Sequence, residues 1–248
     1  MYRFITIITF LFLLLSGISR GQGFQPYKSG VITYHGYAYP VVPGTEEWKA
    51  LGHRQRVESL QLPMDTLHNI STPRLLETCL YYPFNIDIFA FDDQMVSFGR
   101  IKEQFNGYAE LYQRPDFVQH LVTLYDSRNV SFIDQMTLDY DKGLYSFDLY
   151  ILEFMLADEA YLATESQASQ IVSLLLEKMD QKTQNPVYGR TNRIMIGLAI
   201  GRCLQRINAI SDYQGSTLNA FLQKVKLTTL SDLDYIISKA KTLKSSKP

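Results

Sequence analysis

The sequence has few of the residues that build metal sites and catalytic motifs, with two cysteines and four histidines in 248 residues. The histidines share no ligand spacing, and the chain contains no HExxH, CxxC or GxSxG motif and no phosphate-binding glycine loop. We therefore expect no metal and no cofactor. The 24 basic residues nearly balance the 25 acidic ones without a long run of either sign, which argues against nucleic acid as a partner.

The two cysteines, Cys79 and Cys203, both lie within apolar helical patterns. An exported chain can form a disulfide, and spacing alone does not decide whether two cysteines pair. A free cysteine in an apolar helix behaves as a small hydrophobic residue, and we favour that interpretation over a disulfide.

Aromatic side chains are abundant, with 17 Tyr and 14 Phe. Hydrophobic residues make up 46% of the chain and charged residues 20%, which is a globular composition rather than a disordered one. The length is sufficient for one well-buried domain.

The first 21 residues have the layout of a secretory signal peptide. Arg3 precedes an apolar run from Phe4 to Leu15, and small residues follow up to Gly21. The run is shorter than the roughly 20 residues of a membrane span. We expect cleavage near Gly21 and a periplasmic or extracellular mature chain without an integral membrane span. The alternative is an uncleaved N-terminal anchor.

Residues 22–45 are rich in Tyr, Val, Gly and Pro, and the prolines Pro40 and Pro43 exclude a helix there. The sequence predicts an extended arm with a short strand at Val31–Tyr34. Three arm tyrosines are candidate binding residues for a glycan or a peptide: Tyr34, Tyr37 and Tyr39. The alternative, which we favour, is that these rings pack on the helices.

Residues 46–243 carry about ten helical patterns joined by short loops and no convincing strand, and residues 244–248 form a disordered tail. We expect an all-α fold, either an irregular multi-helix bundle or stacked helix hairpins resembling an α-α superhelix. Gly197 and Gly201, four residues apart, predict the close approach of a neighbouring helix.

Several helix ends are marked in the first half of the chain. Thr72 is a predicted N-cap, and Pro83 ends that helix. Asp92 or Asp93 caps a later helix, which Gly107 ends. The helix after Thr72 has an apolar face and an opposite face predicted to meet solvent, the latter consisting of Arg74, Glu77, Thr78 and Tyr81.

The stretch 145–163 is apolar on nearly all sides, so it predicts a central helix. The more polar residues 127–143 before it predict a connection with one helical turn. Within that connection, Asp139–Gly143 predicts a solvated acidic turn, since its spacing does not fit a calcium loop.

Four carboxylates are the candidate catalytic residues, because paired acids can hydrolyse glycosidic bonds. They are Glu77, Asp87, Asp148 and Glu153. Asp148 and Glu153 interrupt the central helix, and a buried acid must find a partner or shift its pKa. The interpretation we favour is a hydrogen bond or salt bridge inside the bundle, with the candidate partners Arg190, Arg193 and Arg202.

Three groups of residues carry a resemblance to known sequences: VVPGTEEWKAL, STPRLLETCLYYP, and DIFAFDD followed by FNGYAELYQRPD. Together they resemble a family of uncharacterised exported bacterial proteins with helical domains, over residues 31–126. The resemblance implies a bacterial source and export, and it implies no activity or site.

The sequence favours a non-enzymatic exported domain that binds a macromolecule, a protein or a glycan, in the cell envelope or outside the cell. One alternative is a glycan or peptidoglycan hydrolase that uses carboxylates. Another is a structural subunit of an envelope complex.

Overall fold

The structure is a computed structural model that describes residues 24–158, 164–211, 216–225 and 230–245. The predicted signal peptide lies outside the described residues. Within these ranges the chain forms helices and no strand, which confirms the all-α prediction. None of the helices in this part of the chain is both long and apolar enough to cross a membrane.

The described part of the chain contains twelve α-helices and two 3-10 helices. In chain order they are α1 (Glu46–Ala50), α2 (His53–Ser59), α3 (Met64–Asn69), α4 (Thr72–Leu80), η1 (Pro83–Phe89), α5 (Gln94–Gln104), α6 (Asn106–Leu111), α7 (Phe117–Ser127), η2 (Val130–Gln135), α8 (Asp139–Ala157), α9 (Glu165–Gln184), α10 (Arg190–Arg206), α11 (Ser216–Lys224) and α12 (Leu230–Ser245).

Helix α8 is central, as predicted, and thirteen of its 19 residues are buried. It packs against α10, which in turn packs against α9 and α12. On its other side α8 contacts α7 and α4, and α4 also packs on α6 and α7. The helix begins at Asp139, so the prediction of a solvated turn at Asp139–Gly143 is wrong. These residues form the first turn of α8, and Asp141 is buried rather than solvated because the arm covers it and donates hydrogen bonds to it.

Close packing against α10 confirms the prediction from the glycine pair. A Cβ at Gly197 would collide with the Leu233 side chain of α12. A Cβ at Gly201 would lie 2.5 Å from Leu222 Cδ2 of α11 and 2.9 Å from Ile236 Cδ1 of α12. Side chains of α11 and α12 therefore fill the space beside both glycines, and a larger residue at either position would collide with them.

Helix caps agree with the sequence at some ends and differ at others. Asp93 caps α5, and its carboxylate accepts from the backbone N–H groups of Met95 and Val96. Thr72 is not a cap: Ser71 holds that position, and the Thr72 hydroxyl donates to Asp116 instead.

Two further boundaries were predicted wrongly. Helix α5 ends at Gln104, and Gly107 lies inside α6 rather than at a helix end. The last helix extends through Ser245, so the first two residues of the predicted tail are helical, and residues 246–248 lie outside the described ranges. Both cysteines are buried and free, which confirms that Cys79 and Cys203 act as small core residues.

The arm has no helix from Phe24 to Gly44, as predicted, but it turns at Lys28–Ser29 and bends at Val31 and Ile32, so the predicted strand at Val31–Tyr34 does not form. Strand residues need the backbone of a partner strand, and the arm lies on helices. Its backbone N–H groups instead find side-chain acceptors: that of Tyr34 donates to Gln25 Oε1, and that of His35 donates to Glu77.

Candidate functional site

The arm lies across α4 and α8, and the residues of these helices that hold it form the arm site. The members of the arm site are Arg74, Glu77, Thr78, Tyr81, Asp141 and Asp148. The arm covers part of the face of α4 that the sequence predicted to meet solvent; Arg74 on that face is exposed, as predicted. Thr78 and Tyr81 are therefore buried, and Glu77 is half-buried.

Asp141, in the first turn of α8, binds the beginning of the arm. Its Oδ1 accepts from the Lys28 backbone N–H at 2.9 Å, and its Oδ2 accepts from the Ser29 backbone N–H at 3.0 Å. The Ser29 hydroxyl donates to the same Oδ2 atom. Three donors thus bind the carboxyl of a fully buried Asp141, which leaves neither of its oxygens unpaired.

Helix α4 binds the next part of the arm through two side-chain acceptors and one donor. The His35 N–H donates to Glu77 Oε2 at 3.1 Å, and the Tyr37 N–H donates to Thr78 Oγ1 at 2.8 Å. Arg74 Nε donates to the Gly36 carbonyl at 3.3 Å. Burial raises the pKa of Glu77, and the His35 N–H opposes that rise.

Asp148 is 1% exposed and lies below the arm. Its Oδ2 accepts from the Tyr27 hydroxyl of the arm and, at 2.7 Å, from the Tyr81 hydroxyl at the end of α4. Its Oδ1 is buried and has no hydrogen-bond partner in the part of the chain that the structure describes. Arg128 is near, with one guanidinium N–H 3.5 Å from the Tyr81 hydroxyl oxygen.

Burial raises the pKa of Asp148 to about 7. The hydrogen bonds from Tyr27 and Tyr81 and the charge of Arg128 act in the opposite direction, whereas the neighbouring Glu77 raises the pKa further. Burial also raises the pKa of both tyrosines, so both hydroxyls keep their protons and act as donors. The carboxyl of Asp148 is thus held by neutral groups, and no described residue forms a salt bridge with it.

Glu153 lies five positions further along α8 and is held differently. Its Oε1 accepts from Lys182 Nζ of α9 at 2.5 Å and from the Tyr125 hydroxyl of α7 at 2.8 Å, and all three side chains are fully buried. Burial raises the pKa of Glu153 and lowers that of Lys182, while their mutual attraction opposes both shifts.

The prediction that Arg190, Arg193 or Arg202 binds the two acids is wrong. Hydroxyl groups hold Asp148, and a lysine and a hydroxyl hold Glu153. Arg202 donates to the carbonyls of Ala157 and Leu222, Arg190 is exposed and Arg193 is half-exposed. The reason is position: α9 rather than α10 places its cation at the level of Glu153.

Asp87 lies on η1, apart from the other three acids. It is half-buried, and burial raises its pKa while the charge of His53 lowers it. The structure therefore brings Glu77 and Asp148 together beneath the arm, places Glu153 in the interior of the bundle, and leaves Asp87 separate.

The three arm tyrosines that were binding candidates contact other rings. Tyr34 is half-buried and meets the Phe24 ring edge-on at 5.1 Å and the Tyr81 ring at 5.6 Å. Tyr37 packs on Tyr39 at 5.3 Å, and Tyr39 is 4% exposed. These rings attach the arm to the helices, as the favoured interpretation predicted.

Sequence reasoning missed several members of the arm site and its surroundings: Tyr27, Thr78, Tyr81, Arg128 and Asp141. Only Asp141 carried a local signal, as an acid near the start of a strongly apolar helix.

No group of His, Cys, Asp and Glu side chains in the described ranges is arranged to hold a metal ion. Comparison of the chain with protein-family models, curated proteins and solved structures found no match.

Proposed function

We propose that the protein is a non-enzymatic exported domain of the cell envelope or exterior whose arm site binds a segment of another protein in place of its own arm. Besides its buried tyrosines, the arm uses four backbone amides to bind the helices, and this feature supports the proposal most. Amides of Lys28, Ser29, His35 and Tyr37 donate to side chains of α4 and α8. Lys28 and Ser29 present their amides from a turn that ends at Gly30, and His35 and Tyr37 present theirs from the stretch that follows. Backbone amides occur in every polypeptide, and segments of partner proteins commonly bind through their main chain.

Two arm side chains give the site its selectivity. The Tyr27 hydroxyl donates to the buried Asp148, and the Ser29 hydroxyl donates to Asp141. We therefore expect the ligand to carry a tyrosine and, two residues later, a serine or threonine. A segment without them would leave buried polar groups unpaired, which costs about 1–3 kcal/mol for each group.

The resemblance to exported bacterial proteins and the signal-peptide pattern support the location. Cleavage near Gly21 would make the arm the N-terminal end of the mature chain, and a free end can leave its site without threading a loop. The carboxylate hydrolase has less support, because Asp148 and Glu153 are at most 1% exposed and are bound to internal partners. A structural subunit would use the same arm site for a permanent partner.

The test is binding of a fluorescent peptide with the sequence of residues 24–39 to the mature chain, followed by fluorescence anisotropy. The peptide competes with the chain's own arm. Tyr27→Phe in the chain weakens that arm without altering the helices, so we expect it to bind the peptide roughly fivefold more tightly, as the loss of one hydrogen bond implies.

Two matched controls separate the arm from its site. Asp141→Asn alters the acceptor on α8, so the peptide should bind it less tightly than it binds Tyr27→Phe. A peptide with phenylalanine at position 27 and alanine at position 29 should bind poorly to every variant. If no variant bound the peptide, although hydrogen exchange showed that the arm opens, the arm site would not be a protein-binding site.

A further inference from the structure

We propose that Asp148 is a proton-operated latch, which holds the arm on the helices while its carboxyl is protonated and releases the arm when that carboxyl ionises. The latch does not depend on a protein ligand, because opening of the arm is a property of the chain alone. It adds a regulation to the arm site that the proposed function does not require.

The geometry around Asp148 fits a neutral carboxylic acid. One oxygen, Oδ2, accepts two hydroxyl donors, from Tyr27 and Tyr81, as a carbonyl oxygen does. The other oxygen, Oδ1, is buried and has no hydrogen-bond partner among the described residues, so it can carry the proton without disturbing either tyrosine. Glu153 also has a buried oxygen without such a partner, Oε2, but Lys182 contacts that carboxyl, whereas Arg128 reaches only the Tyr81 hydroxyl beside Asp148. An ionised Asp148 would therefore leave negative charge on a buried atom without a cation in contact, which is less favourable than an unpaired hydroxyl.

The arm itself creates this environment. Tyr27 is 1% exposed and supplies one of the two donors, so its departure removes a donor and uncovers the carboxyl. In water, Asp148 regains the hydration that favours its ionised form. Docking of the arm and protonation of Asp148 therefore favour each other, as linkage requires.

Other ionisable groups face Asp148 from every element around it. Those that interact with Asp148 are Tyr27 on the arm, Glu77 on α4 and Tyr81 after it, Arg128 after α7, and Tyr140 and Tyr145 on α8 itself. Next to them, Lys28 lies over the Tyr140 ring and Asp141 binds the Lys28 N–H. Arg128 favours the ionised form of Asp148, and Glu77 opposes it. Glu77 also binds the arm through the His35 N–H, so its own titration can imitate the latch.

The sign and size of the effect follow from the two pKa values of the same carboxyl. With the arm docked, burial raises the pKa of Asp148 to about 7, and an exposed aspartate has a pKa of about 3.9. The latch is fully closed below about pH 4 and loosens as the pH rises towards 7, and the loosening levels off above that. Between about pH 5 and pH 8, the open fraction should increase on the order of a hundredfold.

Hydrogen exchange of the intact mature chain, measured by mass spectrometry and corrected for intrinsic exchange at each pH, tests the latch. The amides to follow are those of Lys28, Ser29 and Tyr37, which are bonded only while the arm is docked. We expect their protection to fall about a hundredfold from pH 5 to pH 8 in the wild type, and less than about threefold in Asp148→Asn. Amides of α10 should show no such fall, because that helix lies away from the arm.

Two further measurements secure the result. Glu77→Gln should retain most of the fall, which assigns the effect to Asp148. The carboxyl carbon of Asp148, followed by NMR in the wild type, should titrate near pH 7 rather than near pH 4, and this needs no variant. The latch is excluded if Asp148→Asn keeps the wild-type pH dependence, if arm and α10 lose protection together, or if the carboxyl titrates near pH 4.

Discussion

Asp148 and Glu153 lie on the same helix and are equally buried, yet their surroundings differ in two respects. Glu153 has a cation, Lys182, in direct contact, whereas Asp148 has only the hydroxyls of Tyr27 and Tyr81. The partners of Glu153 come from the helices α7 and α9, which belong to the interior of the bundle. One partner of Asp148 comes from the arm, which lies at the surface.

Because of this difference, the Glu153–Lys182 pair is a fixed part of the core, whereas the Asp148 carboxyl can gain or lose a proton. A buried acid with a buried cation is a coupled pair, and neither member can lose its partner without leaving an uncompensated charge. A buried acid held by neutral hydroxyls needs only to bind a proton to become neutral itself. Because a removable segment covers it, the second acid can exchange its proton with solvent when that segment opens.

The largest effect should come from Lys182→Met, which breaks the pair in the core. Of the two groups that now bind the Glu153 carboxyl, only the Tyr125 hydroxyl would remain, and the carboxyl would still be buried. We expect a loss of roughly 3–5 kcal/mol in the free energy of unfolding at about pH 8, measured by urea denaturation.

The control for Lys182→Met is a double variant in which Glu153 is also replaced, Glu153→Leu with Lys182→Met. With both charges removed, most of the lost stability should return, since a buried pair contributes little compared with apolar residues of similar volume. If the double variant were as unstable as the single one, packing rather than charge would explain the loss.

The next effect compares the two acids by replacing each with its amide. Glu153→Gln leaves the Lys182 ammonium buried without a counter-charge, and we expect a loss of roughly 2–4 kcal/mol. Asp148→Asn leaves an oxygen that still accepts from both tyrosines, so it should change stability by no more than about 1 kcal/mol. Equal losses for the two variants at neutral pH would mean that Asp148 also belongs to the fixed core.

A third prediction concerns core packing without charge. Gly201→Ala places a methyl group against Leu222 and Ile236, and we expect a net loss of about 1–2 kcal/mol after the gain in helix propensity. Gly143→Ala in α8 is the control, because nothing lies within 4 Å of its Cβ position; it should stabilise the protein by up to about 1 kcal/mol. Measurement of the free energy of unfolding checks both variants. The hydrogen-exchange protection of the arm amides should be the same in each variant as in the wild type.

The sequence predicted the features of this fold that depend on local patterns. The central helix around Leu149 and Phe154, the Asp93 cap and the glycine pair in α10 all follow from residues within a few positions of one another. The buried state of Asp148 and Glu153 was predicted in the same way, since each interrupts an apolar helix. Periodicity indicates which residues are buried, and it does so regardless of what covers them.

The partners of those acids could not be predicted, because they come from distant parts of the chain. Tyr27 is 121 positions from Asp148, and Tyr81 is 67 positions away. The failed strand at Val31–Tyr34 has the same origin. Those residue types suit an extended backbone, but what an extended backbone pairs with depends on the fold, and here it pairs with side chains of helices.

The smallest effect in the comparison, and the most selective, comes from removing one hydroxyl at each acid. Tyr81→Phe deletes a donor to Asp148, and Tyr125→Phe deletes a donor to Glu153. Each should lower the free energy of unfolding by about 1 kcal/mol.

The two losses should differ in their pH dependence, because hydrogen bonds to an ionised acceptor are stronger than those to a neutral one. Asp148 ionises near pH 7, so the loss in Tyr81→Phe should be larger at about pH 8.5 than at pH 5. Lys182 contacts Glu153 and favours its ionised form, so the loss in Tyr125→Phe should change less between the two pH values than the loss in Tyr81→Phe. Urea denaturation of both variants and the wild type at the two pH values measures the difference, and a constant loss in Tyr81→Phe would place Asp148 with Glu153 as a residue of fixed charge.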